Sequence, residues 1–224
     1  MDQETSTLVI SGIDTKKFLQ GQLTCNVEAV PPAPSFIWGA QCNPQGRVIC
    51  TFKIFTHNDT YGLQMPTEMI AIAKNKLKKY AIFFKVSLNH DSANYIASNK
   101  LEEVSQCIPN IYPTTSEKYL PHELNLVKIG AVSFTKGCFT GQEIIARMEY
   151  RGKLKKHLYS FTITTDQPLT RGATVYSKKL AQPVGDLIDF CGIEKNTYLI
   201  LLLLSKELQQ DDLADLHFNE LGLQ

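Results

Sequence analysis

The sequence has little that would tie it to a metal, a membrane or a nucleotide. Its cysteines, Cys25, Cys42, Cys50, Cys107, Cys138 and Cys191, include no CxxC pair. No His/Cys cluster has the spacing of a zinc site, so no metal is expected. The same scatter argues against this chain holding an iron–sulfur cluster alone. No P-loop, no dinucleotide-binding glycine pattern and no internal repeat occur. The longest apolar run, Tyr198 to Leu204, is far too short to span a bilayer and reads as a buried strand. Met1-Asp2-Gln3-Glu4-Thr5-Ser6 is acidic and polar, and no apolar segment follows, so no signal peptide is expected. Reduced thiols in the cytoplasm are the expectation, with no membrane partner. A net charge of +1 provides no global field toward nucleic acid.

The chain of 224 residues is long enough for one large domain or two smaller ones with real cores. Leu8-Val9-Ile10 predicts a strand. Asp14 can cap a helix through Lys16 to Leu19 that stops near Gly21. Strands at 36–40, 48–55 and 61–65, punctuated by Asn43-Pro44-Gln45-Gly46 and His57-Asn58-Asp59, predict two hairpins. Thr67 can cap the next helix, with Met69, Ile70, Ala73 and Leu77 as its buried stripe. Its lysines 74, 76, 78 and 79 read either as a solvated face or as a phosphate-facing patch. Tyr80 to Leu88 predicts a strand, 89–99 weak structure, and 101–107 a short helix. From Leu158 the pattern changes to regularly spaced short strands, which suggests a small barrel.

The most informative stretch is Lys136-Gly137-Cys138-Phe139-Thr140-Gly141-Gln142-Glu143. Thr140 and Glu143 have the spacing of a capping box for a helix starting at Gly141. Ile144, Ile145 and Met148 then form a buried face. On this reading Cys138 sits just before a helix N-terminus with Lys136 nearby, both of which favour a thiolate. A small buried hydrophobe is the alternative for a free cysteine. Downstream, Arg147, Arg151, Lys153, Lys155 and Lys156 face only Glu149 as an acid. That density suits a backbone anion, a polyacidic tail or simple solvation. His122, the histidine nearest the motif in sequence, is either a base for Cys138 or a loop residue.

This octapeptide resembles the K-G-C-[FY]-T-G-Q-E signature of the YgfZ-type folate-binding, tRNA-modifying family, within the glycine-cleavage T-protein (aminomethyltransferase) superfamily. Phe18-Leu19-Gln20-Gly21-Gln22-Leu23-Thr24, the turn Cys42 to Arg47, Lys78-Lys79-Tyr80-Ala81 and Leu120 to Leu126 resemble further family segments. The resemblance implies an α+β fold. A T-protein-like folate-binding domain over 1–154 would carry an inserted, shortened ferredoxin-like subdomain at about 48–107. A small C-terminal β-barrel would follow over 155–224. It implies tetrahydrofolate or a derivative as cofactor, and a role supporting iron–sulfur cluster assembly or repair and the tRNA modification that depends on it. Partners would then be folate, iron–sulfur client proteins and tRNA. Cys138 and Lys136 become the candidate reactive pair. Gln142, Glu143, Phe139, Gly141, Arg147, Arg151, Gln20 and Gln22 become the candidate folate contacts.

A pterin shows a ring N–H beside an exocyclic amine, an edge that a carboxylate or an amide can match. Glu143 or Gln142 can do so, and Gln142 alone if Glu143 is consumed in a cap. Phe139, Tyr80 or Trp38 can stack the ring, and arginines meet the glutamate tail. Asn26 and Asn43 stand where the family usually carries aspartate. No segment matches the part of the T-protein pattern that supplies the amine-handling aspartate, so the chain is not expected to be an aminomethyltransferase. A folate-dependent one-carbon transferase and a tRNA-binding module remain the competing readings.

Overall fold

The computed structural model describes residues 4–177, 182–205 and 216–218. The tail after Ser205 reads from the sequence as acidic and amphipathic, a short helix or partly frayed, and its Asp211, Asp212, Asp215 and Glu220 lie outside the described residues. Two antiparallel five-stranded sheets and four α-helices make an α+β architecture among the described residues.

The first sheet joins β1 (Thr5–Ser11), β2 (Ile37–Cys42), β3 (Val48–His57), β4 (Thr60–Pro66) and β5 (Ser87–Asp91) in the order β2-β3-β4-β1-β5. Side chains alternate between its faces. Leu8, Ile10, Phe52, Ile54, Leu63 and Met65 pack in one core with Phe18 and Leu19 of α1 (Thr15–Gln22). Helix α2 (Thr67–Ala81) adds Met69, Ile70, Ala73 and Leu77, the stripe read from the sequence.

The opposite face of this sheet is polar and yet covered. Trp38, Lys53, Gln64, Thr7 and Asp91 are register partners in one row across the strands. The segment after β5 seals part of this row with its backbone. Thr7 donates to Ala93 O (2.9 Å), Gln64 pairs with Tyr95 N, Ile96 N and Ile96 O (3.0, 3.0 and 2.7 Å), and Lys53 donates to Ala97 O (3.2 Å). Lys53 also lies 2.7 Å from Glu103 of α3 (Lys100–Ser105), and both are buried. The stretch read as weakly structured is therefore the lid of a polar sheet face, satisfying groups that burial would otherwise penalise.

Several local expectations are corrected. Asp14 does not cap α1. Its carboxylate instead accepts from Lys85 N (2.8 Å), tying two distant loops together. Gly21 lies inside α1 rather than ending it. Thr67 is the first residue of α2, not its cap, and donates to Glu4 O (3.1 Å). The strand expected over Tyr80 to Leu88 is the end of α2 followed by turns, and β5 begins only at Ser87.

The second sheet comprises β6 (Lys156–Thr164), β7 (Thr174–Ser177), β8 (Gln182–Glu194), β9 (Thr197–Ser205) and β10 (Leu216–Phe218), ordered β10-β7-β8-β9-β6. Strand β9 is apolar from Tyr198 to Leu204, and both faces are buried from Ile200 to Leu204. Leu201 and Leu203 join the core of the first sheet, together with Leu158 and Ile188. Ile200, Leu202 and Leu204 form a second core with Val175, Val184 and Leu187. A bulge between Leu187 and Asp189 leaves Ile188 as the extra residue. Asp189, fully buried, holds the sheet to the rest of the chain. It pairs with Lys100 and Arg171 and accepts from Asn110 N (2.9 Å). Arg171 is sandwiched between Tyr112 and Phe190, its guanidinium 3.9 and 4.3 Å from the ring centres.

Candidate functional site

The signature segment is held by three separate parts of the chain. Lys136 Nζ donates to Leu23 O and Cys25 O (2.7 and 2.8 Å), just past α1. Ser133 N donates to Thr24 O (2.9 Å) and Thr140 N to Gly21 O (3.2 Å). Helix α4 (Gln142–Arg151) begins after Gly141, whose φ of +84° is a left-handed conformation suited to glycine. A Cβ there would stand 2.6 Å from Asn43 O and 3.0 Å from Gly46 Cα. Gly46 in turn faces Ile144 and Ile145 so closely that its own Cβ would meet them at 3.1 and 3.3 Å. The two glycines let the signature turn and the β2–β3 turn lie backbone against backbone.

The capping box does not form. Gly141 is the N-cap residue and no side chain caps the helix. Glu143 is consequently exposed and free of hydrogen bonds among the described residues, as is the half-buried amide of Gln142. Cys138 is the exposed cysteine among the six, so the buried-hydrophobe alternative does not describe it. The cation expected beside it is committed elsewhere. Lys136 grips two carbonyls and lies 5.1 Å over the Phe139 ring. Burial pulls its ammonium down to about 8. Phe139 is buried in the main core, so its ring packs rather than presenting a face.

The two glutamines near α1 have different fates. Gln20 is fully used: Nε2 donates to Asn26 Oδ1 (2.9 Å), and Oε1 accepts from Val27 N (2.8 Å). Gln22, buried one residue from the carbonyl that Thr140 reaches, makes no side-chain hydrogen bond among the described residues. Arg147 and Arg151 are exposed on α4 and unpaired among the described residues. Tyr150 beside them is 73% exposed. Trp38 packs edge-on to Phe36, and the Lys53 ammonium lies 5.4 Å over its ring. Three candidates, Gln142, Glu143 and Gln22, therefore keep unused hydrogen-bonding capacity near the signature turn. Lys136, Phe139 and Gln20 spend theirs on holding it.

His122 is no partner of Cys138. Its Nε2 lies 3.1 Å from Glu149 Oε2 on α4, and its Nδ1 is buried without a hydrogen bond among the described residues. Burial holds this imidazole below its ordinary value against the opposite pull of Glu149. A network absent from the sequence reading centres on Glu117, at φ +61°. Its carboxylate takes Lys76 of α2 and the Asn43 amide (2.9 Å), and the two donors hold it below the usual carboxylate range. Asn43 Oδ1 also accepts from Arg47 N (2.9 Å), closing the β2–β3 turn. Asn43 and Glu117 are 74 positions apart, and no local pattern signals such a pair.

No family model matches the chain. It is 26% identical to the tRNA-modifying protein YgfZ of Vibrio atlanticus, the alignment covering 92% of this chain and 83% of the relative. The protein of the same name from Photobacterium profundum is 28% identical over 80% of this chain and 72% of its own. Among solved structures, the glycine cleavage system aminomethyltransferase T of Bartonella henselae superimposes with a TM-score of 0.65. It covers 91% of this chain and 76% of its own at 10% identity, which is likeness of fold alone. The chain is thus similar over most of its length to tRNA-modifying proteins YgfZ, and it carries the T-protein fold.

Proposed function

We propose that this protein binds tetrahydrofolate or a derivative and acts as an accessory factor for iron–sulfur cluster assembly or repair, and through it for tRNA modification. The observation that carries this reading is the signature turn itself. Lys136, Gly141 and Thr140 are spent on fixing its backbone against α1 and the β2–β3 turn. Cys138, Gln142 and Glu143 are left with their chemistry unused. Rigid backbone with free side chains is how a binding site is preorganised.

The free groups fit the ligand. The Glu143 carboxylate or the Gln142 amide matches the pterin's paired N–H edge, and Gln22, next to the Gly21 carbonyl that holds Thr140 N, supplies a further amide. Arg147 and Arg151 suit the carboxylates of the glutamate tail. Folate would supply the one-carbon carrier, and the chain supplies the thiol of Cys138. The domain reading goes with this proposal: a folate-binding domain over 1–154, with its shortened insertion at about 48–107, followed by a barrel built on the second sheet. The names of the relatives support the link to tRNA modification. The cytoplasm is the proposed location.

Calorimetric titration of tetrahydrofolate into the full chain tests the ligand. Micromolar-range binding that is lost in Gln142→Ala or Glu143→Ala places the pterin at the signature. No binding by the wild-type chain refutes the reading. In a strain lacking the protein, Cys138→Ala should fail to restore iron–sulfur enzyme activity, and full restoration would remove the thiol from the function. Turnover of a methylated amine with tetrahydrofolate would instead favour a one-carbon transferase.

A further inference from the structure

One end of the molecule carries an exposed apolar cluster that neither the core nor the signature explains. Ile13 is 88% exposed, and Ile82 and Phe83 are each 77% exposed. They lie on two loops far apart in sequence that the fold ties together. Asp14 Oδ2 accepts from Lys85 N at 2.8 Å, and a Cβ on Gly12 would stand only 2.2 Å from Lys85 O. Beneath them Phe18 and Phe84 pack at 5.4 Å. The loops are thus braced from below while their tips point outward.

The surroundings of this cluster are cationic. Lys16 and Lys17 open α1 just after Ile13, Lys78 and Lys79 close α2 just before Ile82, and Lys85 follows Phe83. Of these only Lys16 forms a contact ion pair among the described residues, with Glu28 at 2.7 Å, while Lys79 acts on the Glu117 carboxylate at longer range. Asp14 is already engaged by a backbone N–H. Large exposed apolar side chains rimmed by charge mark interaction sites on soluble proteins. Here five lysines outnumber the two carboxylates Asp14 and Glu28, so the complementary partner is polyanionic.

We propose that this end of the molecule docks RNA, with Phe83 and its neighbouring isoleucines against unpaired bases and Lys17, Lys78, Lys79 and Lys85 on the flanking phosphates. The inference rests on the tRNA link of the preceding reading and gives it a surface. Apolar or aromatic stacking combined with lysine–phosphate contacts is the general chemistry of unpaired RNA recognition. The patch shares no residue with α4, so the two can be varied apart.

The test is filter binding of the full chain to bulk tRNA over a salt series. Phe83→Ala and the double variant Lys78→Ala, Lys79→Ala stand beside Arg147→Ala, Arg151→Ala as the comparison. All three substituted positions of the patch are exposed, so folding is not at stake. The expectation is a loss of about 5- to 150-fold in affinity for Phe83→Ala. The lysine pair should make the slope of log K against log salt shallower by about 1.4. Wild-type binding with both patch variants within about twofold of it overturns the inference while leaving the tRNA link standing. No tRNA binding by the wild-type chain, or binding to phosphatidylserine vesicles instead of tRNA, overturns it too. In either case the folate titration still decides the other reading by itself.

Discussion

Replacing Asn43 by aspartate, the residue that the resemblance leads one to expect there, should destabilise the fold. Asn43 Nδ2 donates to Glu117 Oε2 at 2.9 Å, and its Oδ1 accepts from Arg47 N at 2.9 Å. An aspartate keeps the second bond and converts the first into two facing carboxylates. A hydrogen bond to a charged group is worth about 1.5–3 kcal/mol, but Glu117 is 36% exposed, which discounts this to about 1 kcal/mol. Repulsion at near-aqueous dielectric adds about 1 kcal/mol, and the stronger acceptor for Arg47 N returns about half of that. The net cost is about 1.5 kcal/mol, or about 3–6 °C in Tm for a chain of this size. The sign with pH follows from Glu117, which Lys76 first and Asn43 second hold below its ordinary range. Its stabilising contribution is present above the unfolded carboxylate value and is lost as pH falls through the lower folded value. The variant's deficit is therefore full at neutral pH and fades below about pH 4, where one of the two carboxylates takes a proton. Urea denaturation of Asn43→Asp, Glu117→Gln and the double variant, at pH 7 and at pH 4, checks this. Asn43→Asp as stable as wild type at pH 7, or no rescue by Glu117→Gln, would refute the reasoning.

Further outcomes follow from the same geometry. Gly141→Ala forces a left-handed backbone and a contact of 2.6 Å with Asn43 O; it should cost about 2 kcal/mol or more and weaken folate binding together with stability, seen by denaturation and titration. Lys136→Met leaves Leu23 O and Cys25 O without their donor and should cost about 1–3 kcal/mol at pH 7. Because burial lowers Lys136 to about 8 from 10.5, the unfolded chain binds more protons between those values, so wild-type stability gains from this group as pH rises and the gap to the Met variant widens toward pH 10. Aromatic disulfide titration at neutral pH should find one fast thiol, absent in Cys138→Ser, because Cys25 and Cys50 are buried and pushed up to about 11 and about 12. Asp189→Asn strips Lys100 and Arg171 of their buried partner and should cost about 3–5 kcal/mol, read as a lower urea midpoint.

What could be read from the sequence was whatever depends on short-range pattern. The stripe of α2 and the continuous apolar run of β9 follow from period and burial, and both are where the pattern puts them. Caps failed because they are decided by competition. Asp14 found a better donor in Lys85 N, 71 residues away, and the left-handed Gly141 took the N-cap position from Thr140. The strand expected at 80–88 failed because α2 runs on to Ala81 and the following turns pack Phe84 onto Phe18. At the site, the sequence singled out the loop but could not divide its residues into holders and free groups. Lys136 looks like an activator of Cys138 by proximity, and only the fold shows it spent on two carbonyls past α1.

The two sheets cannot be treated as a reader placed beside a spacer. Leu201 and Leu203 of β9 are core residues of the first sheet, while Ile200, Leu202 and Leu204 on the other face of the same strand build the second core. Asp189 lies on that strand's neighbour and draws Lys100 of α3, Arg171 and the Asn110 backbone onto one buried carboxylate. Asn110 also reaches Glu103 (3.3 Å), which pairs with Lys53 on the polar face of the first sheet. A continuous chain of buried polar and charged groups thus runs from β8 to β3, under the segment that seals Gln64 and Thr7. A partly satisfied chain of this kind is costly, whereas a satisfied one favours a single arrangement. The second sheet thereby fixes α3, α3 fixes the segment over the polar face, and β3 begins at the turn on which Gly141 rests. The rigidity of the signature turn is set in part by residues more than forty positions away from it.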